Sequence, residues 1–214
     1  MKWNNAFIIG DGATDASGSV SRVKPGGIEY VTQPSDLIGD KICLSSLDLP
    51  DQTLDACIEY VFEKKPKLFV RACEDLYGIG LIEAKYRLSP IMLLHKMGLL
   101  DQNCTVVGAV YLDNDDVAIM SQCGCSVVLC PTMACGYGNG FVNVMPLLGK
   151  VDVSLGSGDN RYNASGSIIE EAKTLLLGTS CIMRKRDALS LEQIAGLIGF
   201  EGDIKELVRL MNIQ

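Results

Sequence analysis

Histidine is almost absent from this sequence: His95 is the single one in 214 residues. A centre built from several imidazoles therefore cannot be assembled from this chain. Cationic side chains are also in deficit, 19 Lys and Arg against 26 Asp and Glu, giving a formal net charge of −7. That balance argues against a nucleic-acid partner or an anionic membrane surface, both of which need clustered Lys and Arg. The short basic runs Lys64-Lys65 and Arg184-Lys185-Arg186 read as solvated turns. No stretch approaches the roughly 20 apolar residues of a membrane span. The opening MKWNNAFIIGDG is too short in apolar residues for a signal peptide. Cys-x-x-Cys spacing is missing too, although there are nine cysteines. An odd number of scattered cysteines without a leader predicts reduced thiols and a cytoplasmic location, with the sequon Asn163-Ala164-Ser165 unglycosylated.

Nearly half of the residues are apolar, enough for a proper core. Residues 1–40 are set apart as an N-terminal β and loop extension. GDGATDASGSVSRVKPGG is small and polar, and lacks the Gly-Lys-Ser/Thr ending of a phosphate loop. The apolar runs Ala6–Ile9 and Ile28–Val31 on either side are expected to pair as a short hairpin. From residue 41 to 214 a repeating pattern predicts one domain. Short apolar runs at 41–47, 67–73, 104–112, 125–131 and 151–158 read as buried parallel strands. Helical segments lie between them. Leu54, Ile58 and Val61 share one face, as do Ile91, Leu94 and Met97. Asp113 and Gly124 bracket a third helix, and Ser167 with Glu170 and Ser190 with Gln193 open two more. Strand–helix–strand repetition means a parallel α/β sheet of about five strands, too few to close an eight-stranded barrel. Ligands in such sheets bind beyond the C-terminal strand ends.

The densest cysteine stretch is SQCGCSVVLCPTMAC, residues 121–135. Its spacing is not that of paired zinc ligands, and Cys125 and Cys130 fall on opposite sides of a strand. The expected role is a buried strand at 126–129 with thiols as small core filler.

The same stretch, ending in Cys-Pro-Thr, resembles the amidohydrolase superfamily, in particular its cytosine-, guanine- and S-adenosylhomocysteine-deaminase and chlorohydrolase branch. LSPIMLLHKMGLL (88–100), TVVGAVYLDNDDVAIMSQCGCSV and VDVSLGSGDNRYNASGSIIEEAKTLLL follow in the family's order. The resemblance covers roughly residues 40–200 and implies an incomplete, half TIM-barrel-like sheet, strands four to eight. Family enzymes hold a divalent metal with histidines from strands one, five and six and an aspartate from strand eight. A glutamate after strand five moves the proton.

Carried over residue by residue, the resemblance leaves little of that machinery. Arg71-Ala72-Cys73-Glu74 stands where His-x-x-Glu is expected, so only the glutamate persists, as Glu74. Gly108 and Tyr111 occupy the strand-six histidine positions, and Asp159 in Gly156-Ser157-Gly158-Asp159 comes one residue late. The sequence therefore predicts no metal and no other cofactor. Glu74 and Asp159 are the candidate catalytic carboxylates, and Arg71, Tyr111, Cys130 and Thr132 the candidate ligand-binding residues. Arg71 is expected to pair with Glu74 or Asp159. Its planar fork also suits a carboxylate or phosphate, and Tyr111 suits a purine-like ring. No histidine is expected near enough to activate Cys130, and His95 is read as a surface residue. The loop 132–143 is read either as a lid or as a plain connection.

The expected function is that of a degenerate, metal-free amidohydrolase-like protein, a pseudoenzyme acting as a binding or partner subunit. Uncovered sheet edges predict a homo-oligomer or a companion subunit. The alternative is a hydrolase or deaminase of a purine-like or other cyclic C–N substrate, with a rearranged site using Glu74 and Asp159.

Overall fold

The structure is a computed structural model, and it describes residues 29–158 and 161–213. The described chain divides into two compact units. One runs to Val128 and takes in Met145–Asp152; the other comprises Leu129–Val144 and the residues from Val153 on.

The first unit is a parallel sheet flanked by helices. Its strands are β1 (Glu29–Val31), β2 (Lys41–Leu44), β3 (Lys67–Ala72), β4 (Cys104–Gly108) and β5 (Ser126–Leu129), paired in that order. One row runs straight across them: Val31, Leu44, Val70, Val106 and Val127 are in register, and all are fully buried. Burying each such side chain contributes about 1.5–3 kcal/mol, so the row explains why these runs are continuous rather than alternating. The strands expected from residue 41 onward appear in place, shortened at their ends. β1 is additional. It lies before the expected boundary at residue 40 yet pairs in parallel with β2 of the main sheet. The expected partner run Ala6–Ile9 lies outside the described residues.

The unit's helices are α1 (Asp51–Lys64), α2 (Leu76–Tyr86), α3 (Pro90–Lys96) and α4 (Asn114–Cys123). α1 buries Thr53, Leu54 and Cys57, with Ile58 and Val61 half-buried on the same side. Asp113 caps α4 by accepting from the Asp116 backbone N–H, and Gly124 ends it in the left-handed region. Ser89 caps α3, and its hydroxyl donates to Asp116 Oδ1 at 2.6 Å, tying two helix starts together.

The second unit holds α5 (Pro131–Gly136), the end of β6 (Asp152–Leu155), α6 (Ile168–Met183), α7 (Leu191–Ile198) and α8 (Ile204–Met211). The Gly156 N–H donates to the Leu129 carbonyl at 2.8 Å, pairing the chain after β6 with the end of β5. Ser167 caps α6, and Ser190 with Gln193 forms a reciprocal capping box on α7. The segment at 132–143 is not simply a loop. Pro131 starts a short helix, and Thr132, Met133 and Ala134 are buried in it. Nor are all the thiols of 121–135 core filler: Cys125 and Cys130 are buried, Cys123 is half-buried and Cys135 is exposed.

Candidate functional site

In the first unit, the chain after β2, the end of β3 and the start of α2 build a small cleft. β3 carries Arg71 outward, and the chain turns sharply at Cys73 before Asp75 caps α2. Arg71 and Glu74 meet in a two-pronged ion pair: Nη2 donates to Oε2 at 2.7 Å, and Nε to Oε2 and Oε1 at 3.0 and 3.1 Å. The Arg71 side chain is 34% exposed and Glu74 11%, so the pair is partly screened from water. The cleft beside it has about 70 Å³ of internal space and is lined by Ser45, Ser46, Arg71, Glu74, Asp75 and Ile82 among others.

The backbone there is unusual. Cys73 and Ala109, neither of them a helix cap, have φ of 55° and 50°. Such left-handed geometry in residues with a Cβ is disfavoured and persists only where the surroundings impose it. Here the Cys73 carbonyl accepts from both Val110 and Tyr111 N–H groups, at 2.8 and 2.9 Å, which holds the chain after β4 against the end of β3. Gly108 has φ of 93°, and a Cβ placed on it would lie 2.1 Å from Glu74 Cγ. Glu74 thus occupies the space that a side chain at 108 would need. Burial pushes the neighbouring Cys43 thiol up to about 12 and also raises Cys73, which keeps both as neutral thiols.

The second unit contains a buried polar cluster that sequence reasoning missed. Glu171 of α6 is fully buried. It accepts from the Thr132 backbone N–H at 2.9 Å, from the Thr132 hydroxyl, and from Asn163 Nδ2 at 2.7 Å. Asn163, 1% exposed, also donates to the Ser167 carbonyl and accepts from the Ser167 N–H, both at 3.0 Å. Burial lifts the Glu171 carboxyl above its ordinary value, while these donors oppose the rise. A signal was present: Ile168, Glu171, Ala172 and Leu175 share one helical face, so a carboxylate sits within an apolar stripe.

The expected ion pair of Arg71 is therefore with Glu74. Arg71, Glu74 and Tyr111 belong to the first unit, with Tyr111 half-buried. Cys130 and Thr132 belong to the second, where Cys130 is buried and Thr132 is engaged with Glu171. Asp159 lies outside the described residues. His95 is exposed, as expected, but is not isolated: its Nδ1 is 3.3 Å from Cys123 Sγ.

The residues present do not fit the divalent metal of the resembling enzymes. Arg71, which the resemblance sets at one imidazole position, is engaged with Glu74, and Gly108, which it sets at another, is covered by Glu74. Among the described residues, no three His, Cys, Asp or Glu side chains are placed to hold a metal ion.

No protein-family model matches the chain. It is 31% identical over 144 residues to a 5-methylthioadenosine/S-adenosylhomocysteine deaminase of Caldicellulosiruptor saccharolyticus, covering 67% of this chain and 34% of that protein. The chain spans about a third of the length of the curated relatives it matches. In structure it is similar to an adenosine deaminase from Xanthomonas campestris solved with bound zinc, with a TM-score of 0.66, 17% identity, and 74% and 38% of the two chains covered. An amidohydrolase from Brucella melitensis gives a TM-score of 0.64 at 16% identity, over 78% of this chain and 38% of its own. The likeness in structure shows a partial TIM-barrel-like α/β fold. With the sequence match to the deaminase, it supports the amidohydrolase superfamily for this chain, over part of the family's barrel.

Proposed function

We propose that this chain is a metal-independent, non-catalytic member of the deaminase-type amidohydrolases, acting as a binding or partner subunit. The observation that carries the reading is the Arg71–Glu74 pair. A cation fixed by two-pronged hydrogen bonds occupies the position of a metal ligand, and the glutamate that would move protons is spent on holding it. Fixed positive charge there repels a divalent ion and neutralises the carboxylate. The cleft beside the pair suits a small polar ligand, with Arg71 and the serines at 45 and 46 as its donors.

The alternative is a hydrolase or deaminase of a purine-like or other cyclic C–N substrate, favoured by the likeness to the deaminase of Caldicellulosiruptor saccharolyticus. Metal analysis of protein purified without a histidine tag separates the two. The proposal expects no stoichiometric transition metal, and none gained by Glu74→Ala. Stoichiometric zinc or iron, accompanied by C–N hydrolysis that disappears in Glu74→Ala, would overturn it.

A further inference from the structure

We propose that Cys123 and His95 form a thiol–imidazole pair that makes Cys123 a site of oxidation by hydroperoxides, independent of the Arg71 cleft. Cys123 ends α4 and His95 lies in the last turn of α3, and the two helices pack together. Cys123 Sγ and His95 Nδ1 are 3.3 Å apart. With the ring proton on Nε2, the thiol donates to Nδ1. The chain has one histidine, so only one of its nine cysteines is able to have such a partner. Six of those cysteines are buried, and Cys135 and Cys181 are exposed. Cys123 combines access to solvent with a base.

Burial, and the Asp101 charge after it, push the Cys123 thiol up, so the resting pair is a neutral thiol beside an imidazole. This is the arrangement in which a general base matters, because the thiolate has to be generated as the sulfur attacks. Sγ attacks one oxygen of the hydroperoxide, forming an S–O bond while the O–O bond breaks. The thiol proton passes to Nδ1 and then to the departing oxygen, which leaves as alcohol or water. The sulfur loses two electrons, becoming a sulfenic acid, and the peroxide takes them up.

The test exposes the whole chain to hydrogen peroxide, traps sulfenic acid with a dione reagent, and follows each cysteine by peptide mass spectrometry. Cys123 is expected to label first, ahead of the more exposed Cys135 and Cys181. His95→Ala is expected to slow Cys123 about tenfold or more while leaving Cys181 unchanged, and continued protection of the six buried cysteines verifies that the variant is folded. Free imidazole added to His95→Ala is expected to restore part of the rate, an effect that a purely structural histidine would not produce. Three results would each overturn the proposal: Cys135 or Cys181 labelling ahead of Cys123, an unchanged Cys123 rate in both His95→Ala and His95→Gln, or no response to imidazole.

Discussion

Gly108 shows how one position fixes the surroundings of Glu74. Its φ of 93° suits glycine, and Glu74 lies where a Cβ would go. Restoring the family residue by Gly108→His would force a Cβ into left-handed backbone and displace Glu74 from Arg71. The backbone alone costs about 1–2 kcal/mol, with the disturbed ion pair in addition. A lowered urea midpoint without any gain in zinc affinity is expected from a denaturation series with and without the metal; a stable, zinc-binding variant would contradict it. Arg71→Ala leaves Glu74, 11% exposed, without that cation. Removing one partner of a half-buried ion pair is expected to lower stability by about 1–3 kcal/mol. In a thermal-shift screen of nucleotides and organic acids, any stabilising ligand of the cleft should lose its effect in this variant.

Helix starts carry much of the specification at the scale of elements. The side chains of Asp113, Ser167 and Ser190 were legible as caps because each is a short polar residue just before an apolar repeat, and each accepts from the backbone three residues on. What was not legible is how caps combine. Ser89 reaches across 27 residues to Asp116, and that link depends on tertiary packing. Ser89→Ala removes both the cap of α3 and the partner of a buried carboxylate whose proton affinity burial already raises. It is expected to cost about 2 kcal/mol, more than the roughly 1 kcal/mol of an ordinary cap. Comparing it with Ser190→Ala by chemical denaturation checks the difference. The same limit applies to Cys123 with His95 and to Glu171 with Thr132, 39 residues away. The strands were readable because continuous apolar runs bounded by turns leave few alternatives. The run that holds β1 was readable as a strand too, but its pairing was not, since the sequence alone does not show that β2 supplies a parallel partner.

For the molecule as a whole, Glu171 ties acidity to stability. Burial raises its native carboxyl above the ordinary 4.5, so the folded state holds that proton more tightly than the unfolded state. Its contribution is therefore greatest below the unfolded value and declines as pH rises through the native one. Asp116, raised by burial in the same way, contributes with the same sign. Glu171→Gln should remove part of this decline while lowering stability overall, because its amide would turn a donor toward either Asn163 or Thr132. The loss is expected to be about 1–3 kcal/mol. Urea midpoints from about pH 4 to pH 8 measure both effects, and an unaltered slope would disprove the assignment. The proposed role as a partner subunit is a statement about the assembled particle. A native mass above that of one 23.1 kDa chain is its expected signature.

The seating of Asn163 has a practical side. Its amide is tucked against Glu171 and Ser167, although Asn163-Ala164-Ser165 spells an acceptor for sugar transfer. In a secretory host the transferase meets the chain before it folds, and an oligosaccharide attached there would bar α6 from closing over Thr132. Bacterial expression avoids that hazard.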